Sequence, residues 1–112
     1  MIFDKQDNIT VVTQESVSLL TFVNKLKESY PKFKNDHIIL NLFSLKGFST
    51  NDILEFLEIS NKHRAANKSF IIVTNSVNFD EMPDEIEVVP TLKEAYSLIE
   101  IEEIERDIDF SE

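Results

Sequence analysis

The residues that could do chemistry in this chain are few. It has two histidines, His37 and His63, and no cysteine. Neither histidine stands in an H-x-H or H-E-x-x-H pattern, so the sequence supports no zinc site. His63 follows Ile59 and Ser60 by about one helical turn, and His37 leads into an apolar run. Both read as structural histidines. Without cysteine there is no thiolate nucleophile and no disulfide. A chain with one glycine, Gly47, can hold neither a G-x-G-x-x-G turn nor a phosphate loop. No G-x-S-x-G elbow is present. Asp80, Glu81, Asp84 and Glu85 could together hold a hard cation, but their spacing fits no EF-hand, and they read as solvated acid. The expectation is a non-enzymatic protein without metal or cofactor.

The segment that stands out is Asp36 to Lys68. It opens on the apolar run Ile38-Ile39-Leu40-Asn41-Leu42-Phe43. A loop with Gly47 follows, then Ser49-Thr50-Asn51-Asp52, four helix-capping residue types, and an amphipathic helix from Ile53 onward. A strand that feeds a helix through a polar turn is where α/β proteins commonly place their function. The candidate contact residues are Lys46, Phe48, Ser49, Thr50, Asn51 and Asp52, with Phe48 either an anchor for a partner or a plug in its own core.

Around this segment the chain reads as alternating elements. Met1 to Lys5 and Ile9 to Thr13 are short strands about the turn residues Gln6-Asp7-Asn8. Ser16 can cap a helix from Val17, along which Leu19, Leu20, Val23, Leu26 and Tyr30 recur. Pro31 ends it. Ile38 to Phe43 is apolar enough to be covered on both faces. A helix over Asp52 to Asn67 puts Ile53, Phe56, Leu57 and Ser60 inward. Ser69 to Thr74 is a further strand. Asn75 to Glu85 is a loop with one short helical turn, and Ile86 to Val89 is a last strand stopped by Pro90. Thr91 and Glu94 form a capping box for a helix from Leu92 to about Asp107. The order β-β-α-β-α-β-(α)-β-α implies an α/β domain with a mixed, mostly parallel sheet, spanning residues 1–112 as one domain.

That last helix carries two stripes. At about 100° per residue, Leu92, Ala95, Tyr96 and Ile99 share one side, and Glu103 continues it. Ile101, Ile104 and Ile108 lie nearly opposite. One straight helix cannot bury both against one sheet. The second stripe, with Phe110, therefore either folds back over the core or serves as a homodimer seam or partner-helix contact.

At 112 residues and 42% hydrophobic composition, the chain can bury a sizeable core. Its net charge of −10 is unevenly placed. Residues 1–79 hold nine Lys/Arg against eight Asp/Glu, whereas residues 80–112 hold two against thirteen. No basic footprint for nucleic acid results. The acidic end reads as a solubilising face or as a selector of basic partners. With no basic run before an apolar run in MIFDKQDNIT, and no apolar stretch near 20 residues, a soluble, cytoplasmic protein without membrane contact is expected.

The order of elements resembles that of STAS domains, the modules of anti-sigma factor antagonists, stressosome proteins and sulfate-transporter tails. The strand Ile38-Ile39-Leu40-Asn41-Leu42, the loop to Phe48 and the helix after Ser49-Thr50-Asn51-Asp52-Ile53 carry the likeness. So do Phe70-Ile71-Ile72-Val73 and the closing Val89-Pro90-Thr91-Leu92-Lys93-Glu94-Ala95. The resemblance implies a mixed sheet with helices packed mainly on one face, and regulation through a protein partner such as an anti-sigma-like factor. In that family the loop reads Asp-Ser-Ser-Gly and its second serine is phosphorylated. Here Asn51 holds the acceptor place and Asp52 the glycine, so the usual switch is not expected. Ser49 and Thr50 remain as possible phosphoacceptors beside a helix start, opposed by Asp52. Some STAS domains also imply a nucleotide- or lipid-sensing role near this loop. Small chains of this kind are likewise similar to proteins labelled ribonuclease Z. The H-x-H-x-D-H motif of that hydrolase is missing, so the likeness implies at most an accessory partner of the nuclease.

Overall fold

Ile9-Thr10-Val11-Val12-Thr13 is β-branched at every position, which favours an extended, half-buried backbone. In a computed structural model, which describes residues 2–14, 18–43 and 49–111 with side chains to residue 108, this run is strand β2 (Ile9–Thr13). It pairs antiparallel with β1 (Ile2–Gln6) across a two-residue turn in which Asp7 takes a positive φ of 56°. Aspartate tolerates that region better than most side chains. Parallel strands β3 (His37–Asn41), β4 (Phe70–Val73) and β5 (Glu87–Val89) follow, and the sheet order is β1-β2-β3-β4-β5. The helices are α1 (Leu19–Ser29), α2 (Thr50–Ile53), α3 (Leu57–Ala65) and α4 (Leu92–Ser111).

Strand alternation sorts the apolar side chains to two faces. Val12, Ile38, Leu40, Phe70 and Ile72 meet Phe22, Val23 and Leu26 of α1, together with Ile53, Phe56 and Ile59. Val11, Ile39, Ile71 and Val73 meet Ala95 and Ile99 of α4. Three helices therefore cover one face, and α4 alone covers the other. The expected α/β class with a mixed sheet holds, as do the element order and the short helical turn at Phe79–Glu81.

Four local expectations need correction. The first helix is capped by Ser18, whose Oγ accepts the Thr21 N–H at 3.2 Å, and it begins at Leu19. Ser16 and Val17 lie outside the described residues. Its buried residues are Leu19, Phe22, Val23 and Leu26, while Leu20 is exposed. The continuous helix expected over 52–67 is instead α2, a 3₁₀ turn at Leu54–Phe56, and α3. The buried residues Ile53, Phe56 and Ile59 recur every three positions. Three residues per turn keeps them in line, where 3.6 would swing them off the core. The third strand stops at Asn41, and Phe43 lies beyond it, half-exposed. The last helix runs to Ser111.

Two terminators set helix ends. Pro31 lies in a 3₁₀ turn, Tyr30–Lys32, that closes α1, while Tyr30 before it keeps α-region angles of φ −51° and ψ −42°, so the helix tightens there rather than breaking at the residue before proline. Asn67 ends α3 with φ 64°, the left-handed position glycine usually takes. The Asn67 N–H then bonds the Arg64 carbonyl, and the Lys68 N–H bonds that of His63, which is a Schellman arrangement made without glycine.

Candidate recognition site

Strand β3 is the middle of the sheet, and the helix start predicted to matter follows it in the chain. Of the six candidate contacts, Lys46 and Phe48 lie outside the described residues. The other four sit together at the start of α2. Ser49 and Asn51 are exposed, and Thr50 and Asp52 are half-buried. The Asp52 carboxylate accepts the Ser49 N–H at 2.8 Å, and the Asp52 N–H bonds the Ser49 carbonyl at 3.1 Å. A capping residue type and an acid three positions on thus close the turn on itself. Thr50 Oγ1 accepts the Asn78 N–H at 3.5 Å, so the turn leans on the loop between β4 and β5. The charge of Asp52 occupies the place where a helix start would otherwise favour an anion, and a phosphate on Ser49 would meet it directly.

Among the described strands the order gives no topological switch point. Ligand clefts in open α/β sheets form where successive crossovers leave for opposite faces. Here the strands lie in chain order, and the helices between β2, β3 and β4 pack on one face. Shallow depressions of about 190 to 290 Å³ among the described residues include one lined by Lys27, Tyr30, Glu58, Ile59 and Lys62, one by Phe79, Met82, Pro83 and Glu87 in the loop that Thr50 leans on, and one by Asn8, His37, Lys68, Glu103 and Arg106. Among the described residues no three His, Asp or Glu side chains gather as a metal site.

Both histidines are tied at both nitrogens. His63 is fully buried. Its Nε2 lies 2.7 Å from the Asp36 carbonyl, which can only accept, so Nε2 carries the proton. Its Nδ1 then accepts from the Tyr30 hydroxyl at 2.7 Å. Burial pushes the Tyr30 phenol up, which keeps that donor protonated. Burial likewise lowers His63 to about 4, against the pull of the Asp36 carbonyl. His37 Nδ1 accepts the Ser69 N–H at 2.9 Å, so its Nε2 carries the proton and donates to Glu103 at 2.7 Å. Burial lowers His37 despite that carboxylate, while the Asn8 amide and His37 hold Glu103 ionised below its usual range. Neither imidazole has a nitrogen left to act as base or ligand, in line with their structural reading.

These bonds belong to a polar rim at the N-terminal ends of the parallel strands, where Ile9 pairs with His37 and Ile38 with Phe70. The rim holds α4. Glu102 bonds the Ser69 hydroxyl and pairs with Arg64 at 3.6 Å and Arg106 at 3.7 Å. Glu103 also accepts from Asn8 at 3.0 Å, and Arg106 donates to Ser69 at 3.2 Å. On a helix, Glu102, Glu103 and Arg106 continue the side of Ala95 and Ile99. The inward face of α4 therefore changes from apolar to charged as it passes from the sheet's face to its rim. Sequence reasoning missed this network. Its one sign was Glu103, a charge on the packed side of the helix that required a partner.

The opposite stripe stays outside. Ile101, Ile104 and Ile108 are 51%, 54% and 58% exposed, so the fold-back option does not hold for them. Phe110 falls outside the described side chains. No helix among the described residues is long and apolar enough to cross a membrane. No protein-family model matches the chain, and no curated protein matches it.

Proposed function

We propose that this chain is a non-enzymatic regulatory recognition module of STAS-like design, which engages a protein partner through the turn Ser49–Asp52. The observation that carries the reading is the turn itself. Polar, solvent-facing Ser49 and Asn51 stand at the start of the helix that follows the central strand in the chain, fixed by the Ser49–Asp52 bonds and by Thr50 against Asn78. A preorganised polar surface of this kind loses little freedom on binding. A mixed sheet with three of its four described α-helices on one face is compatible with what the resemblance implies. Both histidines are engaged at both ring nitrogens, which favours surface contact over turnover at either ring. The Asp52 carboxylate beside Ser49 favours a constitutive partner over a phosphorylation switch.

The test is capture from native cell extract with wild-type chain and with Asn51→Arg, a substitution at an exposed position that leaves the cap in place. A partner retained by the wild type, and reduced at least tenfold by a variant of unchanged melting temperature, supports the reading. Equal capture by both places the interface elsewhere.

A further inference from the structure

We propose that the outer stripe of α4 is a second docking surface, separate from the turn at Ser49–Asp52, and that its occupant is a basic amphipathic helix of a partner protein. Ile101, Ile104 and Ile108 are spaced three and four residues apart, the seam spacing by which one helix receives another. They cover about 10 Å of helix axis at 1.5 Å rise per residue. All three are more than half exposed. They are held outward because the reverse side of the same helix is pinned by Glu102, Glu103 and Arg106 to Ser69, His37 and Asn8. Rotating α4 to bury the isoleucines would break every one of those contacts. The stripe is thus a fixed feature of the folded chain.

Charge selects the occupant. Glu105 flanks the stripe on one side and Glu100 on the other, both exposed, with exposed Glu94 two turns before Ile101. Lys93 is the one exposed base along the described part of α4. A second copy of this chain would set these glutamates against their own kind, and like charges across an interface are strongly unfavourable. Three isoleucines also fall well short of the roughly 800 Å² per partner that a stable dimer buries. A helix with leucine-type anchors and lysine or arginine flanks satisfies both the apolar seam and its acidic rim.

The probe is a designed three-heptad peptide with leucine at the seam positions and lysine elsewhere, compared with its glutamate counterpart. Binding to the full chain is read by fluorescence anisotropy at low and high salt. The expected result is saturable binding of the lysine peptide, weakened at least tenfold by Ile104→Ser with Ile108→Ser and severalfold by Glu100→Gln with Glu105→Gln, with none for the glutamate peptide. Circular dichroism of the exposed-site variants should match the wild type. Three outcomes overturn the proposal. One is no binding of the lysine peptide. Another is binding that the isoleucine variants leave unchanged, which reports bulk acidity alone. The third is sedimentation showing a dimer that Ile104→Ser dissociates, which makes a second copy the occupant.

Discussion

His63 should act as the main acid-sensitive element of this fold, and the substitution His63→Gln isolates it. In the folded chain its proton affinity is lowered from 6.5 to about 4, first by burial. The unfolded chain keeps the ordinary value. Between about pH 4 and 6.5 the unfolded state therefore binds more protons than the folded one. Stability from this group is fully present above pH 6.5 and is lost as pH falls toward 4. A difference of about 2.5 pH units at roughly 1.4 kcal/mol each gives about 3.5 kcal/mol in all, of which about 3 kcal/mol is lost by pH 4.2. For a domain of this size that is a fall of roughly 10 °C in melting temperature. Glutamine can reproduce both bonds of the neutral ring, donating to the Asp36 carbonyl and accepting from Tyr30, yet it does not titrate. The assay is denaturant unfolding of both proteins at pH 7, 5.5 and 4.2. Other groups titrate alike in both, so the difference between the two pH slopes belongs to His63. Wild type should lose about 3 kcal/mol more than the variant on acidification. Identical slopes would refute the reasoning, because they would mean that His63 meets the proton equally in both states.

Further expectations follow from single contacts. Phe56→Ala removes a fully buried ring from the core between α1 and the sheet and should cost about 3–5 kcal/mol, read as a large drop in denaturation midpoint. Asn67→Ala puts a β-carbon alone into the left-handed position at the end of α3 and should cost about 1 kcal/mol, while Asn67→Gly should be neutral or stabilising by thermal melt. Glu102→Ala leaves Arg64 and Arg106 without their shared carboxylate and should raise amide hydrogen exchange in α4 beyond Ile99 more than in β3. Uniform exchange along α4 in that variant would show that the rim does not hold the helix.

The elements were legible where local chemistry decides them. The β-branched run at Ile9–Thr13 took its expected form, a 3₁₀ turn at Pro31 closes α1, and the Glu94 N–H donates to Thr91 Oγ1 at 3.2 Å, one of the two bonds of the expected capping box. The 3₁₀ break was written in the three-residue spacing of Ile53, Phe56 and Ile59, but an overall helical pattern masked it. Ser16 and Ser18 are equal as capping types, so residue type alone did not mark Ser18 as the cap of α1. The candidate turn was legible because capping residues are local. The rim was not, because His37 and Glu103 are 66 residues apart and meet only once α4 lies across the sheet. The two stripes of α4 were readable from periodicity, but which one faces inward depended on that distant polar rim.

The measurement closest to the central claim is amide hydrogen exchange of the chain with and without its captured partner. If the turn is the recognition site, protection on binding should centre on residues 49–57, with the N-terminal rim unchanged. A bound partner that leaves the amides of 49–57 exchanging as in the free chain would contradict the account, whatever else it protects.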